Sequence, residues 1–269
     1  MRATFCRSLL VAAAVALTAC CLTGCDDAES CGCGDDAELS GRVFDAMTDN
    51  GLNQVGITVD GVLQYTAADG GFLFENIEPG TVEVEVGTDG YYTYETQVEL
   101  EEGDEVERDF PLVPESNTWE YRIIVWWGEN PADLDAHLWV PTGARSTHVY
   151  SGQPGSLTEQ PYAALVLNDV TGFGPEIVTI RPNNPGGWPV TYYPGEFTVA
   201  VRHNAGTSSI PESGARVEIY HEDDLIQTIA APAGAAQQGW YWHVGTLNCE
   251  TGTWTSVNSY SADPPRSNG

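Results

Sequence analysis

The 269-residue sequence contains no lysine, and its ten basic residues, all arginine, stand against 39 acidic ones, for a formal net charge of −29. So few cations leave little to neutralise phosphate, which argues against nucleic acid or bare anionic lipid as a partner. Long apolar runs are missing too: beyond Leu17 none approaches the ~18 residues expected of a membrane-spanning helix. The sequence has no H-E-x-x-H, no G-x-S-x-G and no phosphate loop, so the motif-defined routes to metalloprotease, serine hydrolase and nucleotide chemistry are absent. Cysteine is scarce past Cys25, with only Cys31, Cys33 and Cys249 remaining. One C-x-C supplies two zinc ligands with no second pair near it, a Cys31–Cys33 bridge would be strained, and an odd count leaves at least one thiol unpaired or bonded elsewhere.

What is present starts with a leader. Arg2 and Arg7 precede the apolar stretch Leu9–Leu17, and small residues and cysteines follow. Leu22-Thr23-Gly24-Cys25 resembles the lipobox of bacterial lipoproteins, which implies a signal peptide over 1–24 and an acylated Cys25. Leu17-Thr18-Ala19-Cys20 also fits and makes Cys20 the alternative. An acyl chain adds ~0.8 kcal/mol of membrane affinity per buried methylene, so the anchor would need no spanning helix. The expectation is an exported, lipid-anchored cell-envelope protein, with inner and outer membrane both open. Cleavage at Cys25 removes two arginines and leaves 8 basic against 39 acidic residues, a net charge of −31. The acidic, glycine-rich segment 25–38 reads as a flexible tether.

Strand patterning begins at Leu39. Val82, Val84 and Val86 alternate with Glu83 and Glu85, the period-two signature of a half-buried strand. The turn signals TDNG, DGG, EPG, TDG and EEGD recur at sandwich-like spacing. Leu39-Ser40-Gly41-Arg42-Val43, then Thr66, Asp69-Gly70, Phe72 and Phe74, then Ile77, Pro79-Gly80 and Gly90-Tyr91 occur in an order that resembles the carboxypeptidase regulatory-like domain. That resemblance implies a transthyretin-like β-sandwich over 39–113, an accessory module without catalysis. Residues 114–118 read as a linker.

All eight tryptophans and all five histidines lie at or beyond Trp119. Strand-like segments separated by glycine- and proline-rich intervals predict a second sandwich over 119–258, with 259–269 a disordered tail. Trp127-Gly128, Asp133-Leu134-Asp135, His137-Leu138, Pro141, Asn168-Asp169, Gly172, Gly174-Pro175-Glu176 and Tyr193-Pro194-Gly195 with Phe197 resemble the YfaP-type domain of exported bacterial proteins. That family implies an architecture and no settled activity. The fold expected of the whole chain is all-β: two consecutive antiparallel β-sandwiches behind the signal and tether.

Chemistry concentrates at Asp133–Val140. Leu134, Ala136, Leu138 and Val140 share one strand face; Asp133, Asp135, His137 and Trp139 share the other. Side chains two apart on a strand are separated by ~6.6 Å along it, so one cation bridges two neighbours but hardly three. The expected pair is Asp133 and Asp135, completed by Asp169 and Glu176, an all-oxygen set suited to calcium. Including His137 would point to a transition metal instead. The competing reading is a structural polar network in which Asp135 caps a turn or pairs with Arg181 or Arg122. Trp126, Trp188, Trp240 and Trp242 form a candidate aromatic platform for sugar, although in a strand only one of the adjacent Trp126 and Trp127 can face the core. The expected role is non-catalytic binding or structural work, with glycans or other envelope proteins as partners. A calcium- or carbohydrate-binding module is the alternative, and a metal-dependent hydrolase using His137 a weaker one.

Overall fold

The computed structural model describes residues 36–116, 119–143 and 145–266. The signal peptide, Cys20, Cys25, Cys31, Cys33 and the tether up to residue 35 lie outside the described residues, as do linker residues 117 and 118.

Among the described residues every regular element is a strand except one 3-10 turn at Ile210–Ser213, and there is no α-helix. The first sandwich contains β1 (Ala37–Asp45), β2 (Gly56–Val59), β3 (Val62–Tyr65), β4 (Gly71–Ile77), β5 (Gly80–Gly87), β6 (Tyr94–Leu100), β7 (Glu105–Glu107) and β8 (Phe110–Leu112). One sheet runs β4-β1-β7, with β8 also on β1; the other runs β3-β2-β5-β6. In β5 the valines are buried and the glutamates exposed, as the alternation requires. β1 starts at Ala37, so the last two residues read as tether belong to the sheet. β7 and β8 run parallel to β1, a departure from a purely antiparallel sandwich. Gly70, with φ +87°, turns the chain into β4; a Cβ there would meet the Val43 carbonyl oxygen at 2.3 Å, so only glycine fits.

The second sandwich contains β9 (Tyr121–Trp126), β10 (Asp133–Val140), β11 (Thr147–Val149), β12 (Gly155–Ser156), β13 (Ala163–Leu167), β14 (Glu176–Ile180), β15 (Phe197–Ala205), β16 (Arg216–His221), β17 (Asp224–Ala230), β18 (Tyr241–Asn248) and β19 (Thr253–Ser261). Its sheets are ordered β11-β10-β15-β18-β19 and β12-β13-β14-β9-β16-β17. β19 extends to Ser261, and the Asp263 carbonyl sits 2.9 Å from His243 Nε2, so the segment read as a tail is ordered at its start.

Every residue of β9 is buried, because this strand has a core on each side. Tyr121, Ile123, Val125 and Trp127 face the interior of the second sandwich. Ile124 and Trp126 join the core of the first, together with Ile177 and Tyr220. The Tyr92 and Tyr220 rings stack at 3.8 Å, Tyr94 lies 4.6 Å from Trp126, and Tyr92 Oη donates to the Glu222 carbonyl at 2.6 Å. The two sandwiches therefore share apolar packing, and their described residues form one compact unit. The expectation that only one of Trp126 and Trp127 could face a core fails because there are two cores.

Candidate functional site

β10 is buried along its whole length. Leu134, Ala136, Leu138 and Val140 enter the core as the alternation predicts. β11 pairs β10 only from Leu138 to Val140, leaving the Asp133–His137 half without a strand neighbour on that edge. Its other edge is held by β15, which sets Asp135 opposite Arg202.

Glu176, the first residue of β14, closes the open edge by accepting the Ala136 backbone amide. The loop ahead of it is tightly constrained: a Cβ on Gly172, at φ +95°, would meet the Glu129 carbonyl oxygen at 2.4 Å. Oxygens of Asp133, Asp135 and Glu176 thus gather within 4.8 Å of one another, and all three residues are buried. Asp133 Oδ2 accepts from Asn204 Nδ2 at 2.6 Å, and Asn204 Oδ1 accepts from Arg202 Nη1 at 2.8 Å. Asp133 Oδ1 and Glu176 Oε1 have no hydrogen-bond partner among the described residues. Burial pushes the Glu176 carboxyl up to about 9, with Asp135, Asp133 and Asp169 adding to the rise and the Ala136 amide opposing it. Burial also raises Asp135, against the nearby Ser151 hydroxyl and Arg202.

Asp169 does not join this group. Its Oδ1 accepts the Thr171 backbone amide at 2.7 Å and closes a turn, so it contributes charge at a distance. Neither arginine expected to pair with Asp135 does so: Arg181 bonds Glu120 at 2.6 Å, and Arg122 donates to the Pro114 carbonyl. His137 is likewise outside the carboxylate cluster. Its Nδ1 lies 2.8 Å from His148 Nε2, and its ring stacks with Trp139 and Tyr150. Burial lowers His137 to about 3 and His148 to about 4, so both imidazoles are neutral at ordinary pH.

Beside the carboxylates, on the outer face of the sheet, is a cavity of about 330 Å³ whose walls include Asp135, His137, Tyr150, Arg202, Asn204 and Tyr241. Sequence reading missed Arg202, Asn204, His148, Tyr150 and Tyr241. The signal for the first two was an R-x-N alternation on β15, but nothing in the sequence says which strand β15 pairs. A larger cleft of about 1110 Å³ runs between the sandwiches. Its Tyr92, Tyr94 and Tyr220 rings are engaged in inter-sandwich stacking, and Arg108 and Arg216 donate to the Gln97 and Glu95 carbonyls. That cleft is a crevice of the interface; the convergent polar groups are at the smaller cavity.

The tryptophan platform is not formed. Trp126 is 3% exposed between the sandwiches, and Trp242 is fully buried, its Nε1 donating to Asn258 at 2.8 Å. Trp240 is half-buried in the turn before β18, and Trp188, 84% exposed, stands on the loop before β15. The aromatic rings that do converge are Trp139, Tyr150, Tyr241 and the two imidazoles.

No curated protein matches this chain. Among solved structures it is similar to a candidate membrane-associated protein of unknown function from Bacteroides fragilis, at 21% identity and a TM-score of 0.26 over 32% of this chain and 30% of that one. A candidate carbohydrate-binding protein from Bacteroides uniformis aligns at 11% identity and 0.25, over 74% of this chain and all of that one. The Bacillus anthracis TIE protein aligns at 10% and 0.27, over 73% of this chain and 31% of its own length. This chain thus spans under a third of the B. fragilis and B. anthracis chains. Residues 38–113, the first sandwich, match the family model of the carboxypeptidase regulatory-like domain.

Proposed function

We propose that this chain is a non-catalytic binding protein of the bacterial cell envelope, held to a membrane through an acylated Cys25 and taking a small, hydroxyl-rich ligand of the carbohydrate class. The observation that carries the reading is the 330 Å³ cavity, where aromatic rings meet a carboxylate, an amide and a guanidinium within one small concavity. A sugar ring offers a C–H face to aromatic walls and hydroxyls that both donate and accept. Asp135 accepts, Arg202 donates, Asn204 does both, and Tyr150 and Tyr241 supply faces. The neutral His137 and His148 add ring surface without charge. Arg202 forms no ion pair with a carboxylate among the described residues and keeps donors free beyond its bond to Asn204.

The test is intrinsic fluorescence and calorimetry with glucose, galactose, N-acetylglucosamine and galacturonate, followed by a glycan array. Binding that is lost in both Tyr150→Ala and Arg202→Ala is the expected result. No binding across the array, or binding indifferent to both substitutions, contradicts it.

A further inference from the structure

We propose that Asp133, Asp135 and Glu176 form a calcium site at the junction of the two sheets of the second sandwich. Three carboxylates from two different sheets converge with their oxygens within 4.8 Å, and all three residues are buried. Burying one unpaired carboxylate is costly, and bringing three together multiplies that cost unless a proton or a bound cation neutralises the group. Arg202 lies opposite Asp135 and acts on it only through space: its Nη1 is bonded to Asn204, and it forms no ion pair with these three residues.

A second observation points to a ligand rather than to an acidic patch. Glu176 is 0% exposed, and its Oε1 has no partner among the described residues, although Oε2 is bonded to the Ala136 amide. Asp133 repeats the pattern, with Oδ2 bonded to Asn204 and Oδ1 unpartnered. Each of these side chains is thus fixed by one oxygen while the other is buried without a partner. Supporting bonds of this kind orient ligand carboxylates in metal sites.

The chemistry of the set selects the ion. All donors are oxygen, and His137, the nitrogen ligand nearest on the strand, has its Nδ1 against His148. Oxygens that all lie within 4.8 Å of one another are close enough to share one cation at calcium–oxygen distances of about 2.3–2.6 Å. Two carboxylates come from β10 and the third from β14, so the ion would tie one sheet to the other. The site stands whatever enters the neighbouring cavity.

The full chain is dialysed to equilibrium against calcium at pH 7.5 in 0.15 M KCl, with Glu176→Gln and Asp133→Asn beside it. The expected result is one tightly held calcium per chain, a melting temperature that rises with calcium and returns with EDTA, and affinity at least tenfold weaker in each variant. Magnesium at the same concentration gives the smaller shift. Glu176→Gln keeps the group that accepts the Ala136 amide; should it fail to fold by circular dichroism, Asp133→Asn decides alone. Calcium bound equally by wild type and variant would assign it to the acidic surface and overturn the proposal. An unchanged melting temperature in wild type would overturn it too, leaving a proton on Glu176 as the neutralising charge.

Discussion

Glu176, at the start of β14, accepts a hydrogen bond from the backbone amide of Ala136 on β10, so a carboxylate from one sheet completes the edge of the other. The bond falls where β11 has ended and the β10 amide would otherwise be orphaned inside the protein. One side chain therefore satisfies a backbone donor and brings a third carboxylate to Asp133 and Asp135.

Glu176→Leu removes that acceptor while keeping bulk. An unsatisfied buried amide costs about 1–3 kcal/mol, so this variant is expected to be destabilised by that order in urea melts. Glu176→Gln, which retains an acceptor, should stay within about 1 kcal/mol of wild type when calcium is absent. Equal loss in both variants would show that the Ala136 bond is not what Glu176 contributes.

Trp126 links the sandwiches. Its ring packs by Tyr94, Arg216 lies 5.5 Å over it, and its Nε1 donates to Glu218 at 2.9 Å. Trp126→Ala should cost about 3–5 kcal/mol, the usual range for deleting a buried aromatic. Because the lost contacts join two cores, calorimetry should resolve one cooperative transition in wild type and two in the variant. A single transition lowered as a whole would mean that other inter-sandwich contacts suffice.

The imidazole pair contributes to the loss of stability in acid. His148 is held near 4 by burial, against about 6.5 in an unfolded chain. Between those values the unfolded state binds the extra proton, so stability is present above pH ~6.5 and is lost as pH falls toward 4. His148→Phe should flatten this part of the pH–stability curve. An unchanged slope would place the acid sensitivity elsewhere.

The lipid anchor is tested by fractionation. Cys25→Ala should release the protein from membranes into the soluble fraction. Retention of Cys25→Ala with release of Cys20→Ala would move the anchor, and retention of both would refute it.

Much of the fold was legible from alternation alone. The inward set Leu134, Ala136, Leu138 and Val140 could be read directly, as could the valines of β5, because each such strand has one wet face or one polar stripe. β9 was harder: Tyr121–Trp126 is apolar at nearly every position, and only the packing of two sandwiches explains a second buried face. At the site, Asp133 and Asp135 followed from spacing and Glu176 from its place at a strand start. Asp169 looked equivalent to Glu176 in sequence, yet its carboxylate closes its own turn at Thr171. Arg202 and Asn204 were invisible because they reach Asp133 through strand pairing, which local patterning does not encode.

The most direct measurement is a crystal structure of the second sandwich's site in the full chain, grown with calcium and recorded for anomalous signal. The account predicts one peak bounded by Asp133, Asp135 and Glu176, at about 2.3–2.6 Å from their oxygens. Peaks confined to surface carboxylates, with none among these three, would contradict it.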